Sequence, residues 1–251
     1  MLNLNNISVS FDETPILNNL SCQVQISDFV VIVGSNGAGK STLFDIISGR
    51  KKPDSGSIEL DERNITTLSE IERSLFTGRL FQNPRQNCIE TMTVKENLSL
   101  ALYKNRPCSF AEGLKNFERH RIIKKLPSLN IEIDDMLDTP MRRLSGGQRQ
   151  LISFIMQTIV QPKLLLLDEP TAALDPEAAT NLLTFATEYI KTNRVTTLLI
   201  THDPHIALSI GNKIWVLQDG IIAKEFTSEE KDQLSPDDLM GHIDYKKLKT
   251  L

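Results

Sequence analysis

Residues 29–42 read FVVIVGSNGAGKST, and the junction between the two halves of this stretch decides the fold. The first half, FVVIVG at 29–34, is unbroken apolar and β-branched sequence, the pattern of a parallel strand covered on both faces. The second half, GSNGAGKST at 34–42, fills every defined position of G-x-x-x-x-G-K-[ST]. Gly34, Gly37 and Gly39 let the backbone wrap a phosphate chain, and Ser35, Asn36, Ala38, Lys40, Ser41 and Thr42 complete the loop. Backbone N–H groups of residues 36–41 converge on anionic oxygens, and the N-terminus of the following helix adds a favourable field. Lys40 supplies a point charge to β- and γ-phosphates, and the Ser41 hydroxyl can ligate Mg²⁺. The helix is expected over 40–48, ending at Gly49, a suitable residue just past a helix end.

Upstream, Leu2, Leu4, Ile7 and Val9 are separated by polar residues, which predicts a half-exposed strand, and Cys22, Val24 and Ile26 alternate as a second. Downstream, 57–60 and 79–82 read as short strands. Between about 84 and 160 the alternation gives way to helical sequence at 94–103, 110–126 and 145–160. KLLLLD at 163–168 returns as a buried strand. A helix then opens at Pro176, a good first helical residue, and runs to about Lys191. Strands are expected at 196–201 and 213–217, and the charged tail from Thr227 is helical, with Pro236 opening a last short helix. Strands alternating with helices on this scale predict an α/β domain with a largely parallel core sheet, interrupted by an inserted helical block.

The strand ends carry the chemistry. LLLLDEP at 164–170 places Asp168 at the end of an apolar strand, where an acidic residue of phosphate-loop proteins holds the metal. Two adjacent carboxylates repel unless a cation lies between them, so a metal at Asp168 leaves Glu169 to polarise a water for in-line attack. His202 follows the strand at 196–201 and emerges at the same sheet end, within reach of a γ-phosphate or of Glu169. With His205 it forms only an H-x-x-H spacing, insufficient for a zinc site. Gln82 ends the strand that precedes the helical block, so its amide oxygen can reach Mg²⁺ and report the state of the nucleotide.

Composition sets the outer bounds. The 251 residues are 24% charged and 40% hydrophobic, enough to build a sizeable core. Lys and Arg number 28 against 32 Asp and Glu, a net charge of −4 that gives no support to a nucleic-acid-coating role. No apolar run approaches the roughly 20 residues needed to span a bilayer. The opening MLNLNN lacks the basic and apolar regions of a secretory signal, and Cys22, Cys88 and Cys108 lack CxxC spacing. The expectation is a cytosolic protein with reduced thiols.

Residues 144–150 read LSGGQRQ, and 172–175 read AALD. With GSNGAGKST and LLLLDEP in this order and spacing, the sequence resembles the nucleotide-binding subunits of ABC transporters over about residues 1–225. The resemblance implies an α/β P-loop NTPase core with a mainly parallel sheet, an N-terminal antiparallel β subdomain and an inserted α-helical subdomain. It divides one cassette of 1–251 into a core at 1–83 and 161–225, a helical signature subdomain at 84–160 and a C-terminal helical tail at 226–251. Phe11 becomes the aromatic that stacks on adenine, where many relatives carry Tyr. Gln82 matches the Q-loop, Asp168 the acidic metal residue, Glu169 the catalytic base, Asp175 the D-loop and His202 the switch histidine. No catalytic position is degenerate, so an active Mg²⁺-dependent ATPase is implied.

Ser145, Gly146, Gly147 and Gln148 begin a predicted helix and so form a second anion-ready N-terminus. In the family this segment faces the γ-phosphate of the opposing protomer, and two ATP molecules are sandwiched in a head-to-tail dimer with Asp175 at the seam. The likeness is nearest to amino-acid-type, tryptophan/tyrosine-like uptake ATPases, through LFQNP, the LLLLDE and TAALDP stretches and the GNKIWVLQDGII ending. It implies a polytopic permease docked around 83–97, a periplasmic or surface substrate-binding protein reached indirectly, and no nucleic acid. The location implied is cytoplasmic, peripheral on the inner face of the cell membrane, with no added regulatory domain after residue 225. The rival expectation is a soluble ABC-type ATPase of a non-transport assembly such as iron–sulfur cluster biogenesis, which would keep every nucleotide motif and lack a permease.

Overall fold

A computed structural model of the chain describes residues 1–104 and 133–243. The expected helix at 110–126, Cys108 and the end of the tail lie outside the described residues. In chain order the elements are β1 (Leu2–Phe11), β2 (Thr14–Val24), β3 (Phe29–Val33), α1 (Lys40–Ser48), β4 (Ser55–Leu60), β5 (Arg63–Asn64) and α2 (Glu70–Ser74). These are followed by β6 (Thr77–Leu80), α3 (Val94–Tyr103), α4 (Ile133–Met136), α5 (Gly146–Thr158), β7 (Leu164–Asp168) and α6 (Pro176–Asn193). The chain continues through β8 (Thr196–Ile200), α7 (Pro204–Ser209), β9 (Lys213–Gln218), β10 (Ile221–Phe226), α8 (Ser228–Lys231) and α9 (Pro236–Ile243).

Two sheets form. One has the order β2-β1-β4-β5 and is antiparallel throughout. The other has the order β10-β9-β3-β8-β7-β6, parallel from β9 to β6 with only β10 antiparallel at its edge. This is the P-loop NTPase architecture expected from residues 29–42, with the antiparallel sheet beside it.

The continuous apolar run of β3 is explained by two cores. Side chains alternate across a strand, so Val31 and Val33 enter a core shared with Leu165, Leu167, α5 and α6, while Val30 and Ile32 enter a second shared with α1 and the antiparallel sheet. Each face demands an apolar residue, and no position is left for a polar one.

The N-terminal hairpin departs from simple alternation. Buried Leu2 and Leu4 are followed by buried Ile7 and Val9, a slip that coincides with a register shift between Leu4 and Ile7. Asn6 and Asn19 both adopt left-handed φ values near +52°, and the Asn6 amide donates to Asn19 Oδ1 at 2.9 Å, closing a paired bulge. The bulge also corrects the expected second strand. β2 begins at Thr14 and buries Leu17, Leu20 and Val24, whereas Ile26 lies beyond its end and is exposed. The strand expected at 79–82 stops at Leu80, which leaves Gln82 in the loop.

α3 begins at a capping box in which Thr93 Oγ1 accepts from the Glu96 N–H and Glu96 accepts from the Thr93 N–H. The same device, Ser69 with Glu72, opens α2. Among the described residues no helix is long and apolar enough to cross a membrane. Cys22 and Cys88 are free thiols.

Candidate active site

Five parallel strands bring their carboxyl ends to one edge of the sheet, the edge where open α/β sheets bind ligands. The loop after β3 runs into α1 through two glycines that admit no side chain. At Gly34 a Cβ would lie 2.3 Å from the Leu217 carbonyl oxygen. At Gly39, the residue preceding α1, φ is +101° and a Cβ would lie 2.9 Å from Leu17 Cδ2. The phosphate loop is thus clamped between β9 and the antiparallel sheet. Ser35, Asn36 and Gly37 stay exposed, while Ala38, Gly39 and Lys40 are buried. Lys40 Nζ donates to the carbonyls of Gly34 at 2.7 Å and Ser35 at 2.9 Å. Burial lowers the Lys40 pKa from its ordinary value, and the carboxylates of Glu169 and Asp168 work against that shift.

β7 delivers the acidic pair. Asp168 is buried, and its Oδ2 meets Arg79 Nη2 at 3.4 Å. Burial raises the Asp168 pKa, Arg79 opposes the rise, and Glu169 and Asp45 add to it. Glu169 then leaves the sheet in a left-handed turn, φ +44°, with its N–H bound to the Ile200 carbonyl at 3.0 Å. That conformation costs a non-glycine residue about 1–3 kcal/mol and persists only where its surroundings impose it. Here it directs the carboxylate across the sheet end. Glu169 Oε2 accepts from the Gln82 amide at 3.2 Å and lies 3.3 Å from His202 Nδ1.

Gln82, Glu169 and His202, from the loops after β6, β7 and β8, therefore meet at one oxygen atom. They overlook a cleft of 680 Å³ whose wall also includes Asn36, Gly37, Gly39, Lys40, Ser41, Thr42 and Ile16. Phe11 is not part of that wall. It stands 64% exposed at the end of β1, with the Lys51 ammonium 5.6 Å from its ring centroid. The possible metal donors, the Ser41 hydroxyl, the Asp168 carboxylate and the Gln82 amide, are all hard oxygen groups suited to Mg²⁺. Among the described residues no group of three or more His, Cys, Asp or Glu forms a metal cage.

The remaining expected site residues gather elsewhere. Ser145 caps α5 in a reciprocal box with Gln148: its Oγ accepts from the Gln148 N–H at 3.2 Å and its N–H donates to Gln148 Oε1 at 3.0 Å. Asp175 caps α6 by accepting from the Ala178 N–H at 2.9 Å. Gly147 is pressed on α6, where a Cβ would come within 2.6 Å of Ala178 Cβ. Ser145, Gly147, Gln148 and Asp175 line a second cavity of 310 Å³ that shares no wall residue with the first. Gly146 lies beside that cavity at the start of α5. The two cavities open at separate places on the one chain.

Several contacts around the site are not legible from the sequence motifs. Asn87 mimics a strand partner to Phe81, accepting from its N–H at 2.9 Å and donating to its carbonyl at 3.0 Å. Fully buried Gln150 donates to the same carbonyl at 3.2 Å and ties α5 to the residue preceding Gln82. Arg79 bridges three elements beneath the cleft, and Ile16 forms part of its wall. The legible signal for Arg79 was a charged residue inside an otherwise buried strand; a lone isoleucine in a hairpin gives none.

Known proteins resemble this chain over most of its length. The ABC transporter family model matches residues 17–172. The chain is 37% identical over 250 residues to a tyrosine transport ATP-binding protein of Clostridioides difficile (strain R20291), covering 98% of this chain and 99% of that one. It is 34% identical over 220 residues to the methionine import ATP-binding protein MetN of Brucella abortus (strain 2308), covering 86% of this chain and 56% of that protein. Among solved structures, cbiO1 from Clostridium perfringens, part of the ABC transporter complex cbiONQ, superposes with a TM-score of 0.79 at 25% identity, over 99% of this chain and 97% of that one. A dimeric ATP-binding cassette in a post-hydrolysis state with ADP and Pi superposes with a TM-score of 0.73 at 26% identity, over 91% and 99%. With its phosphate loop, acidic strand end and signature segment in place, the chain belongs to the ABC transporter family and is an ATP-hydrolysing cassette of that family.

Proposed function

We propose that this cassette powers uptake of an amino acid or a similarly small solute through a separate polytopic permease, seated on the inner face of the cell membrane. The convergence of Gln82 and His202 on Glu169, above the phosphate loop, is the observation that carries the hydrolytic part. The tyrosine-transport and methionine-import names of two relatives support the choice of solute.

In this reading Glu169 accepts a proton from the attacking water, while Gln82 and His202 hold its carboxylate in line. Lys40 and the N–H groups of the loop from Gly34 to Thr42 offset charge on the phosphates, and Phe11 stacks on adenine. Ser41, Asp168 and Gln82 would hold Mg²⁺, which would supply positive charge to offset that of the phosphates. Ser145, Gly146, Gly147, Gln148 and Asp175 complete the site of a second protomer in a head-to-tail pair. The core at 1–83 and 161–225 holds the nucleotide, and residues 83–97 receive the permease. A substrate-binding protein outside the membrane selects the solute with the permease.

The test pairs enzymology with isolation. Glu169→Gln should bind ATP as the native chain does, hydrolyse it at least about 100-fold more slowly, and accumulate an ATP-bound dimer on size exclusion. Near-native turnover would remove Glu169 as the base. Affinity-tagged native chain, solubilised from membranes of its own host, should co-isolate with a polytopic protein, and its deletion should abolish uptake of labelled tyrosine or methionine. Isolation with soluble partners alone would favour the non-transport assembly.

A further inference from the structure

Arg79 is the least expected residue beneath the cleft. It sits on β6, only 8% exposed, in a position where a buried strand would ordinarily carry an apolar side chain. One nitrogen, Nη1, donates to Asp45 Oδ1 at 2.6 Å and to Ser48 Oγ at 2.9 Å, both on α1. The other, Nη2, donates to Asp168 Oδ2 at 3.4 Å at the end of β7. The guanidinium carbon lies 4.4 Å from the centroid of Phe81, the residue preceding Gln82, and Arg50 flanks the same ring at 5.5 Å. Nε is buried without a partner, so the contacts of the two terminal nitrogens, rather than full satisfaction of every donor, set the orientation of the plane.

Ser41 and Asp45 are four residues apart on α1 and share one helix face, with Ser48 a further turn along. A planar fork fixes the separation of the groups bound at its two ends, which a flexible ammonium point charge does not. We propose that Arg79 is a positioning residue for the metal site, bracing α1, which carries Ser41, against β7, which carries Asp168. This inference rests on the proposed reading of Ser41 and Asp168 as Mg²⁺ ligands. Outer partners of metal ligands commonly alter metal affinity by about 10–100-fold when replaced.

The experiment measures binding of a fluorescent ATP analogue to the purified full-length chain, in EDTA and across a Mg²⁺ titration. Arg79→Lys keeps the charge and loses the fork. It should raise the half-saturating Mg²⁺ concentration about tenfold and leave affinity in EDTA within about twofold. Asp45→Asn, which loosens the brace at α1 alone, should shift Mg²⁺ dependence in the same direction. Arg79→Met should shift it at least as far; if that variant does not give a cooperative melt, the lysine and asparagine variants decide. A role confined to general stability would weaken binding in EDTA and in Mg²⁺ equally, and that result overturns the proposal. Asp168→Asn separates the two levels of inference. If it keeps native Mg²⁺ dependence, the ligand assignment falls; if it loses that dependence while Arg79→Lys and Asp45→Asn keep it, only the positioning role falls.

Discussion

Arg73 offers the sharpest stability prediction. Its side chain is fully buried and donates only to carbonyls: Ile46 at 2.7 Å, Ile47 at 3.0 Å, Thr66 at 2.9 Å and Leu68 at 3.1 Å. The first two are acceptors in the last turn of α1, the helix that begins at the phosphate loop, where intrahelical donors have run out. Arg73→Met keeps much of the stem and removes every donor. Ile47 loses its charged partner in a buried position, which costs about 1–3 kcal/mol. Ile46 retains only a longer bond from the Gly49 N–H, 3.3 Å. Thr66 and Leu68 are half-buried and can turn to water, at a smaller cost. Against these losses, a guanidinium whose pKa burial lowers no longer has to be desolvated. The net expectation is a loss of about 2–3 kcal/mol, a large part of the roughly 5–15 kcal/mol typical of a domain. Urea unfolding followed by circular dichroism should show a lower midpoint at unchanged slope. A loss below about 0.5 kcal/mol would mean the four carbonyls find other partners, and the capping argument would be wrong.

Asp28 accepts from Lys213 Nζ, Asn212 and the Gln25 N–H; burial alone would raise its pKa, but these bonds outweigh it and hold the carboxyl below its ordinary value. A depressed carboxylate stabilises the fold above the unfolded value of about 3.9 and loses that contribution as pH falls through the folded value. Asp28→Asn should therefore cost about 1–3 kcal/mol at pH 7, with the gap to the native chain narrowing below about pH 4; a gap constant from pH 7 to 3.5 would refute the linkage. Burial, helped by Glu225, pushes the Cys22 thiol up to about 12. Iodoacetamide at pH 8 should spare Cys22 in the folded chain and label it in urea, read by peptide mapping, and labelling at the rate of a free thiol would contradict the burial.

Much of the site was legible because its parts are local. Strand, glycine loop and helix are contiguous at 29–48, and α1 begins at Lys40 and ends before Gly49 as the sequence implies. α3 and β7 fall close to their expected bounds for the same reason: α3 carries its own capping box and β7 its own unbroken apolar run. The Ser69–Glu72 box was equally local, although α2 went unread for want of an apolar period. β2 was misplaced because the paired bulge at Asn6 and Asn19 exists only when two strands meet. The contacts of Arg79 and Gln150 stayed hidden because each reaches a partner remote in sequence.

The sequence by itself determined that this chain wraps a phosphate loop, ends a buried strand in two carboxylates and opens a helix with a serine and two glycines, since each feature depends on neighbours along the chain. Tertiary structure alone decided that Gln82 and His202 close on a single oxygen of Glu169, and that the signature segment opens into a different cavity from the phosphate loop. Those outcomes depend on the order and direction of the strands, which bring residues 82, 169 and 202 to one sheet edge. Strand order follows from how two cores are filled at once, and no single segment encodes it.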